Sequence, residues 1–295
     1  MLNHDQFKKK LLIFCTTHIY VDYLDYFNPF IKPVGSGTNV FPPHWFNSSY
    51  NVNISHKHVS YSDLVGQFWV WKNIIEKNLY EDKFFGFCQY RRLWIKNLGS
   101  YLNKLTNYAL RKADQNKLDY FDRKIINFFC ITKNFETWKN HDSILTTEIN
   151  LSYPKYLKNI NFFSIKDQFI HCHLGGQQDI FDQMIDKMQP EIKYDFYDHI
   201  SKTSLFSAHG MLISKPKIIN EYFKIAFKWY ESCENIYRPD TKLNLVQSPR
   251  FFGWLNERFC DFWFKKNTNF TTQPVSMDTH SSRKLSLIFK LIGKQ

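Results

Sequence analysis

Two short apolar runs constrain the fold of this chain more than any other feature. Residues 10–17 (KLLIFCTT) and residues 83–90 (KFFGFCQY) are each long enough for one strand, and polar or charged residues follow both. A continuous apolar run of this length is typical of a strand buried on both faces, as in a parallel sheet covered by helices. The sequence therefore predicts an α/β fold in which both runs are buried strands.

Periodicity predicts most of the other elements. From residue 62 the apolar residues recur at helical spacing, and Ser60 or Ser62 is placed to cap that helix. Residues 27–53 contain too many Pro and Gly residues for a long helix and are expected to be mainly loop that lines a site. Further helices are predicted at residues 177–188, 216–233 and 251–264, a helical excursion at residues 99–138, and short strands at residues 142–147 and 207–213.

No internal repeat or low-complexity linker divides the chain, so one large domain at residues 1–267 is the simplest partition. The remaining segment, residues 268–295, ends in SRKLSLIFKLIGK, which combines apolar and basic residues. This composition suits a helix that lies on an anionic membrane surface. It also suits a disordered or self-packing tail.

Charge and composition limit the classes of partner. A formal net charge of +12 favours an anionic partner such as nucleic acid, a membrane surface or a phosphorylated substrate. The lysines are dispersed and no nucleic-acid motif is present, so nucleic acid is not expected. No run of about 18 apolar residues and no signal peptide is present, which predicts a cytoplasmic protein. The six cysteines form no C-x-x-C pair and are expected to be reduced, buried thiols.

Two neighbouring motifs resemble one known family. The motif W-x-W-K-N at residues 69–73 is followed by G-F-C-Q-Y-R-R at residues 86–92. Together they resemble the bacterial capsular and exopolysaccharide glycosyltransferase family long catalogued as a domain of unknown function, in which W-x-W-K-N precedes a strand ending G-x-C-H-Y-R-R. The similarity spans residues 14–264. It implies a GT-A-like, Rossmann-type domain with helical additions, with galactose or galactofuranose as candidate sugars.

The chain departs from the family pattern at polar positions. Gln89 stands where the family has His, Ser62-Asp63 replaces a Cys-Glu or Ser-Glu pair, and residues 176–177 replace an acidic pair. If the replaced acids were catalytic, the chemistry would shift to Asp179 or His209. The alternative is a non-catalytic carbohydrate- or nucleotide-sugar-binding protein derived from a transferase.

A sugar transferase needs a binding site for the nucleoside of its donor and cationic groups that stabilise the departing diphosphate. The donor that the resemblance implies is a nucleotide-diphosphate sugar, UDP-linked. The expected donor contacts are Thr16, Thr17, His18, Tyr90, Arg91 and Arg92. Guanidinium groups bind phosphate bidentately, and adjacent strand residues point to opposite faces, so one arginine is expected to face the diphosphate while the other pairs with an acid. Alternatively, Thr17 and His18 cap a loop and both arginines form structural ion pairs.

The distribution of acids predicts that the donor binds without a metal ion. Most GT-A enzymes hold Mg²⁺ or Mn²⁺ with two carboxylates one residue apart, and this sequence contains no acid-x-acid pair. No cofactor is therefore expected beside the donor. His171 and His173 superficially suggest zinc ligands, but no second ligand pair accompanies them, so they are candidate contacts of the acceptor or the sugar.

The catalytic base is expected among the remaining polar residues. Asp179 follows a Gly-Gly turn at the start of a helix and is the first candidate, although an acid at a helix N-terminus has a structural explanation too. His209 is the second candidate, with a buried structural histidine as the alternative. The expected acceptor is a growing or lipid-linked oligosaccharide, which would place the chain at the inner face of the plasma membrane.

Overall fold

The structure is a computed structural model that describes residues 10–21, 24–25, 31–95, 140–152, 162–236 and 249–275. The helical excursion predicted at residues 99–138 and the basic end of the predicted tail lie outside the described residues. Within the described part, a central sheet is covered by helices, as the two apolar runs predict.

Nine strands occur in the described residues. They are β1 (Leu11–Thr17), β2 (Ile31–Gly35), β3 (Phe46–Asn47), β4 (Phe84–Gln89), β5 (Ser143–Thr146), β6 (Ile149–Asn150), β7 (Leu205–Phe206), β8 (Leu212–Ser214) and β9 (Phe270–Gln273). Seven of them form the central sheet in the order β3-β2-β1-β4-β8-β5-β9, and β6 pairs with β7 in a separate ribbon. In the described sheet β8 runs antiparallel to both of its neighbours, whereas the other pairings are parallel.

Seven α-helices accompany these strands in the described residues. They are α1 (His58–Tyr61), α2 (Leu64–Val70), α3 (Ile165–His173), α4 (Gln178–Asp186), α5 (Pro190–Lys202), α6 (Pro216–Cys233) and α7 (Phe251–Asn267). A π-helical turn, Trp71–Ile75, continues α2. The helices predicted at residues 177–188, 216–233 and 251–264 are confirmed as α4, α6 and α7.

The sheet is buried on both faces. Alternate residues of β1 belong to two separate apolar cores, with Leu12 and Phe14 in the larger one and Leu11 and Ile13 in the smaller one. Helices α2, α6 and α7 supply most aromatic residues of the larger core. The cysteines in the described part are free, and all of them except the half-buried Cys172 are buried, in agreement with the sequence analysis.

The predicted serine cap of the second helix is wrong. Ser62 has a φ of 53° and separates α1 from α2, so the helix predicted from residue 62 is present but begins at Leu64. Its hydroxyl accepts a hydrogen bond from Arg250 Nε at 2.8 Å, and the Ser60 hydroxyl donates to the Lys57 carbonyl at 3.2 Å. Neither hydroxyl is therefore engaged with the first turn of α2.

Three boundaries differ from the predicted ones. The segment predicted as loop at residues 27–53 contains β2 and β3, and Pro33 is tolerated within β2 because β3 pairs only with Val34 and Gly35. The strand predicted at residues 207–213 begins later, at β8, because His209 has a φ of 80° and interrupts it. Strand β9 pairs with β5 and lies beyond residue 267, so the sheet includes residues that the sequence analysis assigned to the tail.

The contact between α2 and β1 depends on a glycine, and this yields a first prediction. A Cβ atom at Gly66 would lie 2.5 Å from Thr16 Oγ1 and 2.8 Å from Thr16 Cγ2. We expect Gly66→Ala to lower the free energy of unfolding by about 1–3 kcal/mol, because the helix or Thr16 must move. Urea unfolding monitored by circular dichroism measures the change.

Gly253 on α7 provides the matched control. A Cβ atom there would meet its nearest neighbour, Ser62 Cβ, at 3.6 Å, which is an ordinary contact. We expect Gly253→Ala to leave stability unchanged or to raise it by up to about 1 kcal/mol through helix propensity. Equal stability of the two variants would contradict the tight α2–β1 contact.

Candidate functional site

A cavity of about 330 Å³ opens at the carboxyl ends of β1 and β4. Parallel strands end at the same edge of a sheet, and that edge is where open α/β sheets bind ligands. All the residues predicted as donor contacts line this cavity, namely Thr16, Thr17, His18, Tyr90, Arg91 and Arg92. The topology of the sheet therefore brings together two segments that lie more than seventy positions apart in the sequence.

The end of β1 forms one wall of the cavity. Thr16 and Thr17 are buried, and the Thr17 hydroxyl donates to the Ile19 carbonyl at 2.5 Å, so it holds the following loop in place. His18 is exposed, and its ring lies edge-on to the ring of Tyr90 with centroids 5.3 Å apart. The β1 and β4 ends thus meet through these two rings.

Arg91 and Arg92 both line the cavity, contrary to the expectation that only one would. They follow β4 in a turn instead of continuing the strand. The Gln89 N–H donates to the Arg92 carbonyl at 3.2 Å, and the Arg92 N–H donates to the Gln89 carbonyl at 2.9 Å. Alternation along a strand therefore does not apply to them. In the described part of the chain neither arginine forms an ion pair with a carboxylate. Arg91 lies over the Tyr90 ring at 5.1 Å, and Arg92 Nη1 donates to Gln89 Oε1 at 2.9 Å.

A third arginine, Arg250, reaches the cavity from the start of α7. Its Nε donates to Ser62 Oγ at 2.8 Å, and its Nη2 lies 3.7 Å from Asp63 Oδ1. Its guanidinium also lies 5.4 Å from the centre of the Trp254 ring. These contacts fix the direction of the side chain, although 41% of its surface remains exposed.

Among the described residues, Asp63 is the one carboxylate that lines the cavity. Its Oδ2 accepts a hydrogen bond from Gln89 Nε2 at 2.9 Å. His58 also lines the cavity, and burial together with Arg250 lowers its pKa, against the opposite effect of Asp63, so its imidazole is neutral at pH 7. The wall therefore carries three guanidinium groups and a single carboxylate, an arrangement that attracts anions.

The charges continue beneath the cavity. Glu257 and Arg258 are both buried, and Arg258 Nη1 donates to Glu257 Oε2 at 3.0 Å. Burial raises the pKa of Glu257, and Arg258 and Arg92 oppose this shift. Burial lowers the pKa of Arg92, and Glu257 opposes that shift in turn. Glu257 therefore interacts favourably with Arg92 as well as with its partner Arg258.

A second cavity of about 830 Å³ adjoins the first at the carboxyl ends of β2 and β3. The two cavities share His18, Ser36, His58 and Val59. The rest of the second wall is mainly neutral and polar, with Asn39 among its amide side chains. Ser36 is fully buried, and its Oγ has no hydrogen-bond partner within the described residues. This wall can therefore donate and accept hydrogen bonds, and its described residues include no acid or guanidinium.

His209 and Asp179 do not line either cavity in the described part of the chain. The His209 carbonyl accepts from Gln89 Nε2 at 3.4 Å, and burial, with Arg92 and Arg258, lowers the pKa of its imidazole to about 3. Asp179 is exposed in the first turn of α4. Their catalytic roles remain predictions.

His171 and His173 lie on different sides of α3. His171 is exposed, with its ring centroid 5.5 Å from that of Phe162. His173 is buried, stacks on Trp254 at 4.8 Å, and has its pKa lowered to about 3 by burial and by Arg258. Among the described residues no group of three or more His, Cys, Asp and Glu side chains could hold a metal ion.

Sequence reasoning missed two features of the site, Arg250 and the orientation of Asp63, whereas the segment at residues 27–53, predicted to line a site, forms much of the wall of the second cavity. Asp63 stands where the family pattern has a glutamate, which is the one signal that singled it out. The hydrogen bond between Arg250 and Ser62 joins residues 188 positions apart, so no local pattern predicts it. Among the described helices, none combines the length and the apolar character that crossing a membrane requires.

The fold is similar to that of one solved glycosyltransferase. The apo structure of the bifunctional glycosyltransferase WbbM superimposes with a TM-score of 0.65 at 17% sequence identity, over 90% of this chain and 45% of the WbbM chain. At this identity the likeness concerns the fold, and the chain spans less than half of the WbbM chain. It confirms the predicted α/β, GT-A-like fold class.

Sequence comparison identifies the family. None of the curated proteins matches the chain significantly. The family model described as "Domain of unknown function (DUF4422)" matches residues 12–268, which is most of the sequence and includes both cavities. The chain therefore belongs to the DUF4422 family.

Proposed function

We propose that this chain is a glycosyltransferase that binds a nucleotide-diphosphate sugar at the carboxyl edge of its central sheet. The observation that carries the proposal is the cavity wall, which contains Arg91, Arg92 and Arg250. Asp63 is the one carboxylate that lines this cavity among the described residues. A diphosphate is the anion that such a wall suits, since guanidinium groups bind phosphate oxygens in pairs. The glycosyltransferase-like fold supports the same class of reaction.

The two adjoining cavities suit the two halves of the donor. The arginine-lined cavity takes the diphosphate and the sugar, and the neutral polar cavity takes the nucleoside, which we propose is uridine. Ser36 lies in the wall between them, and its buried hydroxyl has no hydrogen-bond partner within the described residues. Thr17 and His18 complete this wall from the end of β1.

Stabilisation of the leaving diphosphate is proposed to be independent of a metal ion. The sequence contains no acid-x-acid pair of the kind that holds Mg²⁺ in most GT-A enzymes. The three arginines supply the positive charge that the metal would otherwise contribute as negative charge develops on the departing diphosphate. No further cofactor is required by this scheme.

We propose an oligosaccharide of a capsular, extracellular or lipopolysaccharide polymer as the acceptor, with galactose or galactofuranose as the transferred sugar. His173 stacks on Trp254, and Trp254 lies beneath Arg250, so the C-terminal end of α3 is connected to the cavity. Of the two histidines that we propose as acceptor contacts, His173 takes part in this connection, whereas His171 lies on the other side of α3. A lipid-linked acceptor would place the chain at the inner membrane surface, where the basic sequence at residues 282–294 favours anionic lipids.

Nucleotide binding tests the proposal. We expect UDP at about 100 times its Kd to stabilise the chain by about 2.7 kcal/mol, because it binds only the native state. The midpoint of thermal unfolding then rises by roughly 4–5 °C. Differential scanning fluorimetry with UDP, GDP, ADP and uridine measures this shift.

Two outcomes separate the parts of this proposal. An equal shift with UDP in the presence of EDTA is expected, and loss of the shift in EDTA would contradict metal independence alone. Uridine should produce a much smaller shift than UDP, because it lacks the diphosphate that the arginines bind. If no nucleoside diphosphate changes the midpoint, the proposed donor site is wrong.

A further inference from the structure

The Asp63 side chain lines the cavity and does not cap α2, the helix that it precedes. It occupies the N-cap position of α2, where an aspartate commonly accepts a hydrogen bond from the first turn, yet its side chain makes no such bond. The side chain is 14% exposed, and it lines the cavity. Its carboxylate is thus directed toward the ligand side of the site.

Gln89 fixes the direction of this carboxylate. Its Oε1 accepts from Arg92 Nη1 at 2.9 Å, so the other end of the amide must be the NH₂ group. That group donates to Asp63 Oδ2 at 2.9 Å and lies 3.4 Å from the His209 carbonyl. Rotation of the amide would place its oxygen against the carboxylate, so the arrangement has one stable orientation.

The other oxygen of Asp63 is not engaged in a hydrogen bond in the described part of the chain. Arg250 Nη2 lies 3.7 Å from Oδ1, which is beyond hydrogen-bond distance. An ionised carboxylate with one oxygen held and the other unoccupied is able to accept a proton from a bound hydroxyl.

Other acids of the described residues are less suited to this task. Glu257 is buried in its pair with Arg258 and does not line the cavity. Asp179 is exposed on α4, away from the cavity wall. Only Asp63 combines cavity access with a fixed direction among the carboxylates that the structure describes.

We propose that Asp63 is the general base of the transfer reaction and that Gln89 is a positioning residue that aims it; this rests on the function proposed above. Asp63 Oδ1 takes the proton of the acceptor hydroxyl as the acceptor oxygen bonds to the anomeric carbon. The bond between that carbon and the diphosphate oxygen breaks, and its electron pair leaves with the diphosphate toward Arg91 and Arg92. The step inverts the configuration at the anomeric carbon.

Hydrolysis of a nucleotide sugar tests the base without knowledge of the acceptor, because water must also lose a proton. Release of UDP from UDP-galactose and other UDP-sugars is measured for the full chain and for Asp63→Asn. We expect at least a 100-fold lower turnover in the variant, with an unchanged thermal shift on UDP binding. The matched control is Asp82→Asn, an exposed aspartate just before β4, at the opposite end of the strand from the cavity, which should retain full turnover.

Azide distinguishes a lost base from a damaged site, since azide attacks carbon without giving up a proton. We expect sodium azide to restore turnover in Asp63→Ala with formation of a glycosyl azide. Gln89→Ala should lose about 10-fold in turnover and recover with azide, because the direction of the base no longer matters to that nucleophile. A merely structural role of Gln89 would leave no azide-dependent recovery.

The outcomes separate this proposal from the proposed function. Turnover in Asp63→Asn equal to that in Asp82→Asn overturns the base assignment alone. The same holds if Asp63→Ala binds UDP normally but gains no activity from azide. If the wild-type chain turns over none of the UDP-sugars, the proposed function fails and the base assignment with it. Loss of turnover in Asp179→Asn but not in Asp63→Asn would instead assign the base to α4.

Discussion

Replacement of both Arg91 and Arg92 by alanine should weaken the binding of UDP by about 100-fold to 10,000-fold. Each guanidinium that bonds a phosphate contributes about 1.5–3 kcal/mol, and every 1.4 kcal/mol is about a tenfold change in Kd. Both side chains line the cavity, so each single variant should lose about 10-fold to 100-fold. Isothermal titration calorimetry with UDP measures these changes in Kd.

The control for this prediction is the loss of two positive charges elsewhere. Lys187 and Lys217 are exposed and do not line the cavity, and their double alanine variant lowers the net charge by the same amount. It should bind UDP nearly as well as the wild-type chain. Equal losses in the two double variants would mean that net charge, and not the cavity arginines, determines the affinity.

Glu257→Ala should lower the free energy of unfolding by about 3–5 kcal/mol, the second large effect expected for this chain. Glu257 and Arg258 are both buried, and removal of the carboxylate leaves the guanidinium with its hydrogen bonds to Gln168 and to the Trp254 carbonyl but without its paired charge. The phenyl rings of Phe169 and Phe206, whose centres lie about 5 Å from the Arg258 guanidinium, cannot replace the lost charge. A fall in the midpoint of thermal unfolding on the order of 10 °C is expected, measured by calorimetry.

A double variant separates the buried charge from the loss of packing. Glu257→Met combined with Arg258→Met removes both charges and retains side-chain length, so it should be more stable than Glu257→Ala. Glu221→Ala, on the exposed face of α6, should change stability by less than about 0.5 kcal/mol. A double variant less stable than the single one would show that the pair itself stabilises the native chain.

The elements that the sequence predicted well are those whose signal is local. β1, β4 and α6 lie where apolar runs or helical spacing predict them, because burial of a whole strand or of one helix face leaves its period in the sequence. β3 has only two residues and exists through its parallel pairing with β2. No local pattern of that length can indicate a strand, so that part was predicted as loop.

The same distinction applies to the site. From the sequence alone it followed that residues after β1 and β4 share one edge of a sheet, because parallel buried strands must end together. That places Thr17, His18 and the two arginines in one cavity. The roles proposed for Asp63 and Arg250 required the tertiary structure, since Ser62 and Arg250 are 188 positions apart in the sequence. The directions of Arg91 and Arg92 required it too, because a turn and not strand alternation places both in the cavity wall. Long-range contacts of this kind leave no periodic trace in a single sequence, which is why only the folded chain decided them.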